Sequence, residues 1–205
     1  LFVRFEADML HIKNLSIPAF GVLRRTIFRS FLSTCDYFGV LDSMGYPHFH
    51  ALPEIKHYLK KKALFYQPSG FNSTLVTKMV GSIVPFDQRE NTIVLSGRLD
   101  SPEKGLRLFL KAIKDIDLSN WQIILFGGDI FSIKEIIRDE STSKFQISQI
   151  QVKGHTSYSE LYNTLNKAKI YVLPSYLDGM PLAAVEAMAL GAVIISANHF
   201  GMSVL

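Results

Sequence analysis

The chain has 205 residues, 48% hydrophobic, 12% aromatic and 20% charged, a composition that supports a folded core and excludes a disordered or low-complexity protein. Its single cysteine, Cys35, excludes an intramolecular disulfide framework and suits a reducing compartment. A net charge of +4 with a pI of about 9.1 suits phosphorylated ligands or anionic surfaces and is too weak to indicate nucleic acid; no apolar run reaches the roughly eighteen residues of a membrane span.

The first residue is not Met, and charges at Arg4 and Glu6 interrupt the apolar start, so no signal peptide is legible. The chain stops soon after an apolar run at 193–196, and a fragment of a longer protein is the expectation. Leu23, Ile27 and Phe31 recur at helical spacing beside Arg24, Arg25 and Arg29. This predicts a basic amphipathic helix, which either lies on an anionic membrane surface or is a surface helix with a solvated charged side. Asp36–Leu41 and Ala63–Gln67 read as short strands, and 42–62 as a loop and a helix ending in the cluster Lys56–Lys62. Pro68–Thr74 is turn-rich and predicts a hinge, dividing a partial domain over 1–75 from a second domain over 76–205.

From residue 91 the rhythm is regular. Strands are predicted at Asn91–Ser96, Trp121–Phe126, Ile147–Val152, Lys169–Leu173 and Val193–Ser196. Helices are predicted over Pro102–Ile116, with Leu106, Phe109, Leu110 and Ile113 inward, and over Ser132–Asp139, with Ile133, Ile136 and Ile137 inward. Two more follow over Ser157–Ala168 and 181–190. The last has Pro181 in its first turn, Leu182, Val185 and Ala189 on one apolar face, and Gly191 at its end. Such alternation implies right-handed crossovers and a doubly wound parallel sheet, whose ligands bind outside the strand carboxyl ends. The loops at 97–105, 127–130, 153–157 and 174–181 should converge there.

Gly97 permits close approach of a ligand or of backbone, and Arg98 and Lys104 bracket its loop; the two cations are either surface charges or a diphosphate clamp. Neither a P-loop nor a dinucleotide fingerprint is present. Asp115 and Asp117 fall at the wrong sheet edge for a metal and read as a solvated turn, while His48, His50 and His57 lack a completing ligand pattern, so no metal site is expected. Cys35 reads as packing rather than a nucleophile. Asp178 and Gly179 meet a helix N-terminus, where free N–H groups and the dipole favour an anion, and Glu186 lies further along. A cap with a solvated glutamate is the alternative there. Taken with Arg98 and Lys104 at the same edge, the pattern predicts a diphosphate pocket in which Glu186 accepts ribose hydroxyls and Asp178 faces the group beyond the phosphates.

The ordered set Gly97–Asp100 with Lys104-Gly105, Phe126–Gly128, Val152–His155 and Pro174-Ser175…Asp178-Gly179…Glu186…Gly191 resembles the retaining glycosyltransferases of family 4. The resemblance covers residues 63–205. It implies a GT-B fold of two Rossmann-like domains, with the end of the acceptor-side domain first and the nucleotide-sugar domain after it. It also implies metal-independent transfer of a sugar, with retention, from a UDP- or GDP-linked donor to a glycan or lipid-linked acceptor, in the cytoplasm or at its membrane face. By the motif match, Arg98 and Lys104 contact the donor diphosphate, Asp178 the donor sugar and Glu186 the ribose. Gly97, Gly128, Gly154, His155, Gly179, Met180, Pro181 and Leu182 complete the donor site. Asp178 departs from the family's usual Glu by one methylene, and Ser69 from the usual Asn of the hinge motif. The acceptor-side Gly loop and histidine have no counterpart. A GT-B phosphorylase or synthase relative, or a non-catalytic sugar-nucleotide-binding module, are the alternatives.

Overall fold

Short segments rich in β-branched and aromatic residues and bounded by turn chemistry form most of the strands. A computed structural model describes residues 2–5, 26, 30, 37–40, 63–66, 70–140, 147–176, 178 and 181–198. It divides into two compact units: Leu1–Ser69 with Asp178–Met180 and Phe200–Leu205, and Gly70–Leu177 with Pro181–His199.

The first unit holds three parallel strands, β1 (Phe2–Phe5), β2 (Tyr37–Val40) and β3 (Ala63–Tyr66), in that order. Two were expected; Phe2–Phe5 was not. Thr26 and Ser30, within the expected basic helix, are helical and exposed, while Arg24, Arg25, Arg29, Cys35 and His48, His50 and His57 lie outside the described residues.

The second unit holds β4 (Glu90–Ser96), β5 (Gln122–Phe126), β6 (Ile150–Gly154), β7 (Ala168–Leu173) and β8 (Val193–Ser196) in the order β6-β5-β4-β7-β8, all parallel. Its helices are α1 (Ser73–Val80), α2 (Leu106–Ile113), α3 (Ile130–Glu140), α4 (Tyr158–Lys167) and α5 (Leu182–Ala189). Alternation along the strands splits the core. Ile93 and Leu95 of β4, Ile123 and Leu125 of β5 and Val172 of β7 join Leu106, Phe109, Leu110 and Ile113 of α2 and Ile133 and Ile137 of α3. Val94, Ile124 and Tyr171 are buried outside that cluster, and α4 and α5 contact β7. The sheet is therefore doubly wound, as the sequence pattern implies.

Several expectations shift. The helix expected over Pro102–Ile116 is a 3-10 turn at Pro102–Lys104 followed by α2, because Gly105 between them takes a left-handed conformation (φ 69°). A Cβ there would fall inside the carbonyl oxygen of Pro174, so glycine is required both for the turn and for the close approach of two loops. The strand expected over Ile147–Val152 begins at Ile150, after a 3-10 turn, and runs to Gly154. Helix α1 falls partly within the expected hinge; Asn72 is its N-cap, accepting from Leu75 N at 2.9 Å. Finally, the apolar face of Leu182, Val185 and Ala189 is not the most buried side of α5: Leu182 is exposed, Val185 and Ala189 are half-buried, and Ala184 and Ala187 are buried. A helix that is apolar on nearly every side offers no stripe to read, and small residues settle against the sheet where backbones come closest.

Candidate functional site

Strands β4 and β7 are neighbours although β5 and β6 lie between them in sequence, so the sheet's direction of growth reverses at this pair. A crevice opens outside the carboxyl ends at such a reversal. Tyr171 of β7 is fully buried and its hydroxyl lies 3.0 Å from Ser96 Oγ of β4, tying the pair near that edge.

The loops beyond these strands are joined. Tyr176 N donates to Glu103 O at 2.8 Å, and Gly105 sits against Pro174. Gly97 N donates to Phe126 O at 3.1 Å, Gly127 N to Gly154 O at 2.6 Å and Asp129 N to Asp100 Oδ2 at 3.3 Å. Loops 97–105, 127–130 and the start of 174–181 thus converge, with the end of β6 beside them. Gly128 and Gly154 are buried in this packing, whereas Gly97 and His155 are exposed. Asp129 caps α3 through Ser132 N at 2.8 Å and Ser132 Oγ at 2.9 Å, and these bonds hold its carboxyl below the usual range.

Both predicted cations stand on the 97–105 loop. Lys104 is half-buried, its side chain running beside Gly97; Arg98 is exposed and pairs with Glu103 at 3.2 Å. A hydrogen bond with Ser101, the Glu103 backbone N–H, and then the charges of Arg98 and Lys104 hold the Glu103 carboxyl down. Glu103 therefore sits as an anion between two cations, a counter-charge that sequence reading overlooked. An exposed pair of this kind holds weakly and is screened by salt.

Helix α5 starts at the same edge. Pro181 is buried and caps it without a side-chain hydrogen bond; its carbonyl accepts from Ala184 N at 3.0 Å and Val185 N at 3.2 Å. The first amides, those of Leu182 and Ala183, have no intrahelical acceptor. Glu186, one turn in, is half-buried, and its Oε1 accepts from the Tyr162 hydroxyl of α4 at 2.8 Å. Burial raises the Glu186 carboxyl, and the Tyr162 hydrogen bond opposes that rise. Asp178 is half-buried and belongs to the first unit; Gly179 and Met180 lie outside the described residues. Ser175 is buried, and its Oγ has no hydrogen-bond partner among the described residues. No helix of the described residues is long and apolar enough to cross a membrane.

A doubly wound parallel sheet with cations and a helix N-terminus at its reversal point defines a Rossmann-like α/β domain. Residues 82–205 match the family described as Glycosyl transferases group 1, and the chain belongs to it. An uncharacterized glycosyltransferase of Methanocaldococcus jannaschii is 33% identical over 101 residues, 49% of this chain and 27% of the relative. The Campylobacter jejuni GalNAc-alpha-(1->4)-GalNAc-alpha-(1->3)-diNAcBac-PP-undecaprenol alpha-1,4-N-acetyl-D-galactosaminyltransferase is 24% identical over 172 residues, 81% of this chain and 42% of the relative. Among solved structures, a UDP-forming trehalose-phosphate synthase of Burkholderia xenovorans superposes with a TM-score of 0.70 at 13% identity, covering 98% of this chain and 54% of that one. This likeness establishes the GT-B-type fold. The chain spans under half the length of these two sequence relatives.

Proposed function

We propose that this chain carries the donor side of a retaining, metal-independent glycosyltransferase of family 4 type, moving a sugar from a UDP- or GDP-linked donor to a glycan or lipid-linked acceptor. The observation that carries the reading is the joining of the Arg98/Lys104 loop to the loop before α5 at the β4/β7 reversal. On this reading the cations and the Leu182 and Ala183 amides, which belong to loops at the same sheet edge, take the donor's phosphates. The diphosphate displaces Glu103 from Arg98, Glu186 holds the ribose, and Asp178 holds the sugar. Gly97, Gly128, Gly154 and His155 border the nucleotide.

In the reaction the bond from the anomeric carbon to the donor phosphate oxygen breaks while an acceptor oxygen bonds on the same face. The acceptor's proton passes to the departing phosphate. Arg98 and Lys104 stabilise the charge that builds on the leaving nucleoside diphosphate, preorganised electrostatics needing no enzymic nucleophile. Cys35 and the basic residues Arg24, Arg25 and Arg29 fit a cytoplasmic setting with the acceptor met at the membrane face.

Calorimetric titration of the 205-residue chain with UDP, GDP and ADP tests the donor site. At least one should bind, and Arg98→Ala or Lys104→Ala should weaken it roughly five- to tenfold, the scale of a charge-assisted contact at a partly exposed site. Flat titrations with all three nucleotides overturn the reading.

A further inference from the structure

Glu186 is half-buried, and among the described residues only the Tyr162 hydroxyl donates to it. A carboxylate has about four acceptor positions, so one protein donor leaves the others open to solvent or a ligand; burial raises its pKa above the usual range even with Tyr162 in place. Such a group is a poor structural element and a good acceptor for incoming hydroxyls. Tyr162 is 4% exposed. Burial, then the contact with Glu186, pushes its phenol well above its usual value, so it remains a donor throughout the working pH range. Its ring is tilted against Tyr158, with centroids 5.8 Å apart.

Among the described residues, Tyr162 is the only titratable group in contact with Glu186. Helix α5 carries no other, β8 carries none, and on β7 Lys169 bonds Asn91 while Tyr171 bonds Ser96. On α4, Tyr158 packs against Tyr162, Glu160 bonds Thr156 and Lys153, and Lys167 is exposed at the helix's C-terminal end. Among the described residues, one hydroxyl from the adjacent helix thus orients the Glu186 carboxylate and opposes the rise that burial causes.

Building on the donor-site reading above, we propose that Tyr162 is the positioning residue of the ribose site: by holding Oε1 it turns the other acceptor positions of Glu186 toward the vicinal hydroxyls of a ribonucleotide. Tyr162 touches no substrate. It fixes the glutamate's rotamer before binding and favours its ionised form. Discrimination between ribo- and deoxyribonucleotides then originates partly on α4, outside the motif that carries Glu186.

The test is calorimetry on the 205-residue chain with the tightest-bound of UDP, GDP and ADP and its 2′-deoxy counterpart, from pH 5 to 8, using wild type and Tyr162→Phe. Wild type should prefer the ribonucleotide about tenfold. Tyr162→Phe, which keeps the ring, should lower ribonucleotide affinity about fivefold and deoxyribonucleotide affinity less, so the preference shrinks. Ribose recognition needs the carboxylate and is lost as pH falls through the Glu186 pKa. Removing a bond that depresses that pKa must move the acid limb to higher pH. Glu186→Gln should abolish the limb, and adding Tyr162→Phe should not restore it. A Tyr162→Phe chain with unchanged ribose preference and unchanged acid limb overturns the proposal. If that variant does not fold, a Glu186→Gln chain with wild-type ribose preference and pH profile overturns it instead. Binding of no nucleotide by wild type defeats the donor site itself; binding that ignores Tyr162 defeats only the positioning role.

Discussion

Arg89 should stabilise the second unit more than any surface charge, and replacing it tests how α4 and α5 are held. Arg89 stands just before β4, at the amino edge of the sheet, and is 5% exposed. Its Nε and Nη2 donate to Val84 O at 3.0 and 2.8 Å, Nη1 to Ala168 O at 3.1 Å, and Nη2 to Leu190 O at 2.6 Å. A longer bond of 3.5 Å reaches Leu165 O. Leu165 and Ala168 end α4, and Leu190 is the C-cap of α5, so the guanidinium neutralises orphan carbonyls at the negative ends of two helices. Gly191 completes this corner. With φ 81° it donates to Met188 O at 2.9 Å while Ala192 N donates to Ala187 O at 3.0 Å, the paired bonds of a Schellman ending.

Arg89→Met keeps much of the volume and removes every donor. Three well-bonded carbonyls lose a charged partner at about 1–1.5 kcal/mol each, and part of this is offset because a guanidinium need no longer be desolvated, leaving a loss of about 3 kcal/mol. Against a domain stability of about 5–15 kcal/mol, this should lower the melting temperature by roughly 6–12 °C. Trp121, the chain's only tryptophan, packs beside the second unit's core and reports its unfolding by fluorescence in urea. Arg89→Lys, with three donors in place of the planar fork, should fall between. An Arg89→Met midpoint within about 0.5 kcal/mol of wild type would refute the reasoning, since that is the range of an ordinary surface substitution.

Gly105→Ala should cost about 2–3 kcal/mol, since it combines a left-handed backbone with a collision at the Pro174 carbonyl; a melting scan showing no loss would mean that the two loops are not joined there. Glu103→Gln should tighten nucleoside diphosphate binding about two- to threefold at low salt, because Arg98 loses its resident counter-charge, and the gain should fade as salt screens the site; weaker binding would give Glu103 a direct role. Glu186→Ala should weaken nucleotide binding more than Asp178→Ala does, and calorimetry giving the opposite order would reverse their proposed assignments to ribose and sugar.

What was legible in the sequence follows from how each feature is encoded. Strands β4, β5 and β7 are continuous apolar runs, and α2 has a sharp apolar stripe, so local pattern suffices. Helix α1 was hidden because Asn72, Ser73 and Thr74 read as a turn, when Asn72 in fact starts a helix; the same residue types serve both purposes. Which side of α5 packs inward is not legible, because hydrophobicity barely varies around the helix and residue size decides what is buried. Cations Arg98 and Lys104 could be placed at one sheet edge from the strand–helix alternation. Arg89, Glu103 and Tyr162 could not be assigned roles, because each acts through a partner that only the folded backbone specifies.

The positions of these overlooked residues give the site a mechanical logic. Helices α4 and α5 run antiparallel to the strands, so their N-termini face the crevice and their C-termini the opposite edge. Arg89 pins the C-terminal ends of both, through Ala168 and Leu190. Tyr162 and Glu186 join them again one turn from their N-terminal ends. Two helices tied at both ends cannot slide without breaking a charge-assisted bond, which costs about 1.5–3 kcal/mol. The α5 amides and the Glu186 carboxylate are therefore held at a fixed spacing before a ligand arrives. Preorganisation of this kind converts two modest polar contacts into selective ones, since little ordering cost remains at the moment of binding. It also separates two failures that equilibrium binding alone would confuse. Loosening the distant tie at Arg89 should weaken ribo- and deoxyribonucleotides alike, whereas loosening the near tie at Tyr162 should act on the ribose.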